Sequence, residues 1–159
     1  SKAAGLIVTH DAADALRMAD RIAVLNKGDL LQIATPQEIY FQPAQYDVAT
    51  MFGPVNTLHG QVEAGILSCG FGTCAVDAAD GTYQIGMRPE SLSLQKGDEP
   101  GLSFTAELNH IRAFGSEWLA DLSGANVAGW HARLRQAHAP QVGAHKIYVS
   151  ARHLMLFRV

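Results

Sequence analysis

Apolar positions follow two different spacings along this chain of 159 residues, and the change falls near residue 54. Gly5 to Thr9 is a short, continuous apolar and β-branched run, the signature of a buried parallel strand. From Asp11 the period becomes helical: Ala12, Ala15, Leu16 and Ala19 fall on one face, while Asp14 and Arg17 stay outside and close enough to pair. Asp11 is placed to cap that helix. Arg21 to Asn26 and Asp29 to Ala34 read as two strands joined at Lys27-Gly28. Thr35-Pro36-Gln37-Glu38 opens a second helix with a threonine N-cap, proline at N1 and glutamate at N3, and the helix must stop near Gln42 because Pro43 follows. A third short helix is expected over Asp47 to Phe52, ended by Gly53-Pro54.

Beyond Pro54 the helical period disappears. Short alternating segments separated by Gly, Asp and Asn recur at the spacing of an all-β barrel or sandwich. They run over Leu58 to Ala64, Thr73 to Val76, Tyr83 to Met87, Ser103 to Ile111, Glu117 to Leu122, Trp130 to Leu134 and Lys146 to Val149. Lys96-Gly97-Asp98-Glu99-Pro100-Gly101 divides this region into two β-rich halves. The pattern therefore predicts a domain boundary near residue 54 and a softer internal one near residue 98.

Composition narrows the chemistry. With 48% hydrophobic and 17% charged residues the chain can bury a core, and its length fits one domain or a small domain with a piece of another. A net charge of −3 with scattered Lys and Arg offers nothing to a polyanion, which argues against nucleic acid as a partner. No apolar run approaches the roughly 20 residues a membrane span needs, and a soluble, cytosolic protein is expected. Cys69 and Cys74 flank a Gly-rich turn and read as reduced thiols. His131, His138 and His145 recur every seven residues, but Pro140 and Gly143 interrupt any helix that would align them, so surface or capping histidines are expected and no metal site. Trp118 and Trp130 lack a basic groove and read as core. Ser1 to Ala4 can be native or a cloning remnant.

His10 ends the first apolar run and precedes the helix, the place beyond a strand's carboxyl end where parallel α/β sheets bind ligands. Alone it reads as a capping or packing histidine. With Ala15-Leu16, Ala19-Asp20-Arg21-Ile22, the Pro36 helix and the closing Phe52-Gly53, however, residues 5 to 53 resemble the end of the nucleotide-binding domain of an ABC importer ATPase. Two departures, Ala12-Ala13 where the family is usually acidic or Gln and Ala34 where it usually has glycine, leave the histidine untouched. The resemblance implies that His10 is the switch-loop histidine contacting the γ-phosphate of ATP, where it can stabilise developing charge. The general-base glutamate lies upstream in that family, and no Gly-x-x-x-x-Gly-Lys-Ser/Thr loop occurs in these residues.

Residues 55 to 159 resemble the regulatory extension of the same ATPases, the TOBE type. The carrying residues are Gly86-Met87-Arg88-Pro89-Glu90, Gly115-Ser116-Glu117-Trp118 and Ala151-Arg152-His153-Leu154-Met155-Leu156-Phe157. On its residues alone Arg88-Pro89-Glu90 is a solvated strand end where proline stops the ladder. The resemblance makes it an arginine fork and a carboxylate fastening one barrel segment to another.

Together these imply a mainly β fold, two small OB-like (TOBE) β-barrels over residues 54 to 159, preceded by an α/β remnant of an ABC ATPase domain over residues 1 to 53. The implied parent uses ATP and Mg, forms a homodimer through the regulatory domain, works with transmembrane permease subunits, and sits on the cytoplasmic face of the inner membrane. Its cargo leans to ferric iron within a group that also takes polyamines, sulfate and sugars. The residues here are expected to hold no cofactor and to be inactive alone. Arg88, Pro89, Glu90, Gly115, Ser116 and Glu117 are the expected structural or regulatory residues. The competing reading is a stand-alone TOBE-like module sensing a small oxyanion or a metal; residues 5 to 53 discriminate, since a free sensor has no use for a switch histidine.

Overall fold

The computed structural model describes residues 5–159, so the expectation for Ser1 to Ala4 lies outside the described residues. The chain divides into two compact units between Gly53 and Pro54. The fold is mainly β, with eleven strands and three short α-helices among the described residues.

In the first unit, α1 (Ala12–Met18) is capped by Asp11, whose carboxylate accepts from the Ala13 and Asp14 N–H groups, and Arg17 pairs with Asp14 at 2.6 Å. Strands β1 (Ile22–Asn26) and β2 (Asp29–Ala34) form an antiparallel hairpin. Lys27 and Gly28 turn it with φ of 51° and 92°, the two positive values that a twist-matched two-residue turn requires. The reciprocal capping box of Thr35 and Glu38 starts α2 (Pro36–Phe41), and α3 (Tyr46–Met51) follows. Ile22, Val24, Ile39 and Val48 are buried together, with Ala15, Leu16 and Ala19 of α1 packed against them.

One expectation is overturned here. Gly5 to Thr9 forms no strand, and Leu6 and Val8 are 93% and 92% exposed. A buried parallel strand is defined by neighbours on its flanks and faces, and among the described residues this run has none.

The second unit has two antiparallel sheets. One comprises β3 (Asn56–Glu63), β4 (Ile66–Cys69), β5 (Gly72–Ala75), β6 (Gly81–Met87) and β11 (Met155–Arg158), in the order β11-β6-β3-β4-β5. The other comprises β7 (Gly101–Phe114), β8 (Glu117–Ser123), β9 (Trp130–Leu134) and β10 (Gly143–Ser150), in the order β10-β7-β8-β9. Alternation aims one face of each inward: Leu58 and Val62 from β3, Ile85 from β6, Leu108 from β7, Leu122 from β8 and Ile147 from β10 share one buried cluster.

The strand spacing does not reveal how the two β-rich halves combine. After β10 a 3₁₀ turn at Ala151–His153 carries the chain back across residue 98, and β11 pairs with β6 in the first sheet. The sheets are also joined by polar and aromatic contacts. Asn56 on β3 mimics a strand partner for His131 on β9, donating to its carbonyl at 2.8 Å and accepting its N–H at 3.0 Å. Phe71 stacks on Phe104 at 4.2 Å between centroids, and both meet the edge of Trp130.

Candidate functional site

His10 lies in the bend before α1 and is exposed. Its turn is held by Thr9, whose hydroxyl accepts the Asp11 N–H at 3.0 Å. The Asp14 and Ala13 N–H groups that Asp11 accepts keep its carboxyl below the ordinary carboxylate value. Those amides are therefore committed, and the start of α1 offers them to no phosphate. The N-terminal amides of α1 by themselves therefore do not fit a phosphate group.

In the second unit the Arg88-Pro89-Glu90 motif sits where β6 ends. Arg88 is buried and donates to the Pro54 carbonyl at 3.3 Å, while Pro89–Ser91 forms a 3₁₀ turn closed by the Ser91 hydroxyl on the Arg88 carbonyl at 2.7 Å. Gly115 and Ser116 make the turn between β7 and β8, with Gly115 at φ 60°. That turn delivers Glu117 at the start of β8.

Glu117 is a charge centre whose partners the sequence motifs did not name. Its side chain is 6% exposed, and the register of β8 against β9 sets it beside two arginines spaced two residues apart. Arg135 donates through Nε at 2.6 Å to one carboxylate oxygen, and Arg133 donates through Nε to the other. The Arg135 bond, with that of Arg133, outweighs burial and holds the Glu117 carboxyl below its ordinary value; the same bond pushes the Arg135 guanidinium up. The Arg133 guanidinium also lies over the Phe114 ring, 5.3 Å from its centroid. The alternation His131-Ala132-Arg133-Leu134-Arg135 was the available signal, since it puts three basic side chains on one face of a strand.

Beside this centre a shallow cavity of about 190 Å³ opens between β9 and the segment after the 3₁₀ turn, with Glu90, Arg133 and Arg135 among its lining. Further along the same sheet Asp121 gathers His131 at 3.0 Å, His110 at 3.4 Å and Arg112 at 3.5 Å. The heptad histidines are not brought together: His131 lies on β9 and His145 on β10, at opposite edges of the sheet, and His138 lies in the loop between. Among the described residues no group of three metal-ligating side chains can hold an ion. Cys69 and Cys74 are free thiols, both pushed up by burial. Trp130 is core, and the half-buried Trp118 donates to the Gln136 carbonyl at 3.2 Å.

No family model matches the chain. A curated relative matches nearly all of it: the sn-glycerol-3-phosphate import ATP-binding protein UgpC of Jannaschia sp. (strain CCS1) is 35% identical over 160 residues, 96% of this chain and 44% of that protein. The chain belongs to the ATP-binding subunits of ABC importers. The Fe(3+) ions import ATP-binding protein FbpC 2 of Pectobacterium atrosepticum is 39% identical over 94 residues, 58% of this chain and 27% of that protein. The glucose import ATP-binding protein GlcV of Saccharolobus solfataricus is 37% identical over 91 residues, 57% of this chain and 26% of that protein. The family expected from the sequence is thus borne out, and this member spans less than half the length of the relatives it matches. Among the described residues no helix is long and apolar enough to cross a membrane.

Proposed function

We propose that the chain is the C-terminal part of an ATPase subunit that drives solute uptake through a bacterial ABC importer. Residues 1 to 53 end its nucleotide-binding domain and residues 54 to 159 are its TOBE-type regulatory domain. The observation that carries this reading is the match to an import ATP-binding protein over 96% of the chain, which runs through both compact units. The parent binds ATP and Mg through upstream residues, closes as a homodimer, moves permease subunits and works at the cytoplasmic face of the membrane. His10 is its switch-loop histidine; its exposed position at the head of α1 leaves the ring accessible to a phosphoryl group. Arg88 and Glu117 hold the regulatory domain together, each buried and bonded to a neighbouring segment. The residues described here neither bind nor hydrolyse ATP alone. For the cargo the lean is to ferric iron, the solute named for the Pectobacterium relative.

The test is His10→Ala in the intact subunit. Loss of one charge-stabilising donor is expected to lower kcat by about 10²–10³ while nucleotide affinity holds. A fall of less than about threefold, within ordinary context effects, removes the switch role.

A further inference from the structure

The outer edge of β9 is capped at one position and open at the next. His131 donates its N–H to the Asn56 carboxamide oxygen and accepts from the carboxamide nitrogen, so both of its backbone groups point away from β8. In an antiparallel ladder that orientation recurs at every second residue, which turns the N–H and carbonyl of Arg133 the same way. Among the described residues nothing accepts from that N–H or donates to that carbonyl. Asn56 therefore shows what this edge takes, a planar amide presenting an acceptor and a donor side by side, and the Arg133 pair is left for another.

The cavity of about 190 Å³ lies beside this edge, between residues 133–136 and residues 92–95. Its far wall is tied to the opposite edge strand of the same sheet, because Ser93 exchanges both backbone hydrogen bonds with Tyr148 of β10, at 2.9 and 2.8 Å. The sheet thus curls until β9 and residues 92–95 flank one gap. With a wall on either side, that gap admits a single extended chain and not the sheet edge of a second copy. Leu92 and Leu134, both buried, give it an apolar lining. Arg133 and Arg135 are matched by two carboxylates, Glu117 and Glu90, so no net charge selects an ion. A neutral chain carrying main-chain amides meets each of these conditions. We propose that the outer edge of β9 at Arg133 is a docking site for an extended peptide segment of a partner protein, which pairs with the Arg133 N–H and carbonyl and turns an apolar side chain toward Leu92 and Leu134. The site lies within the second unit and does not depend on the ATPase reading.

The experiment is a nuclear magnetic resonance titration of the 159-residue chain with acetyl-Thr-Val-Thr-Val-Thr-amide, read at the Arg133 amide. Saturable binding at about millimolar concentration is expected, with that amide shifted and slowed in its exchange with water. Two further versions of the peptide, N-methylated along one edge or along the other, remove its donors in turn. At least one is expected to bind about fivefold more weakly, the loss of one neutral hydrogen bond. Proline is tolerated on an edge strand where the N–H faces outward, so Arg133→Pro removes the donor and leaves the ladder between β8 and β9 in place. It is expected to bind the unmodified peptide about fivefold more weakly than Arg133→Ala, which lacks the same side chain and keeps the N–H. No saturable shift at Arg133, equal affinity for all three peptides, or equal affinity of the two variants would each overturn the proposal. So would an Arg133 amide already protected from exchange in the chain without peptide, since a second copy would then fill the edge.

Discussion

Ile85→Ala tests whether the two sheets of the second unit unfold as one body. Ile85 is fully buried on β6, yet it belongs to the same apolar cluster as Leu108, Leu122 and Ile147 of the other sheet. The substitution removes three carbons, about 2.4 kcal/mol at about 0.8 kcal/mol each. The cavity left behind raises this to about 3 kcal/mol, inside the range measured for such core truncations. For a domain of about a hundred residues that is a fall in Tm of about 12 °C. The two tryptophans, Trp118 and Trp130, both lie in the sheet that does not contain Ile85. Tryptophan fluorescence therefore reads the far sheet, and its midpoint should move by the full amount. Ile147→Ala makes the same deletion in the sheet that carries the tryptophans, at another fully buried site, and should give an equal shift. If Ile85→Ala moved the fluorescence midpoint by less than a third of the Ile147→Ala shift, the sheets would be separate folding units and the shared-core argument would fail.

Two further outcomes follow from the same structure. Glu117 has a folded pKa below its unfolded one, so its contribution to stability is fully present above the ordinary carboxylate value of about 4.3 and is lost as pH falls through the folded value. Urea midpoints of Glu117→Gln should accordingly vary less than those of the parent between neutral and strongly acid pH, and parallel profiles would contradict the assignment. The proposed regulatory role also predicts that the chain sediments as a homodimer, and that a version beginning at Pro54 does the same; a monomer at tens of micromolar in either case would exclude assembly through residues 55 to 159.

The parts of the fold legible in advance were those whose cause is local. The capping box of Thr35 and Glu38, the Lys27-Gly28 turn and the Asp11 cap each depend on residues within four positions of one another. Alternation located most strands, because one face of each is buried. It passed over β4, whose four residues between two glycine turns are too few to show a period, and β11, whose partner β6 lies some seventy residues away. It misjudged Gly5 to Thr9 for the same reason in reverse: an apolar run is a buried strand only where neighbours exist to bury it.

The candidate site was legible to the same depth. Glu117 stood in a recognisable turn motif, but its meaning came from the β8 to β9 register, which puts Trp118 opposite Leu134 and so brings the preceding carboxylate to Arg135. A shift of one residue would send Arg133 and Arg135 to the core face and expose Leu134, so the core that fixes the register also fixes the charge centre.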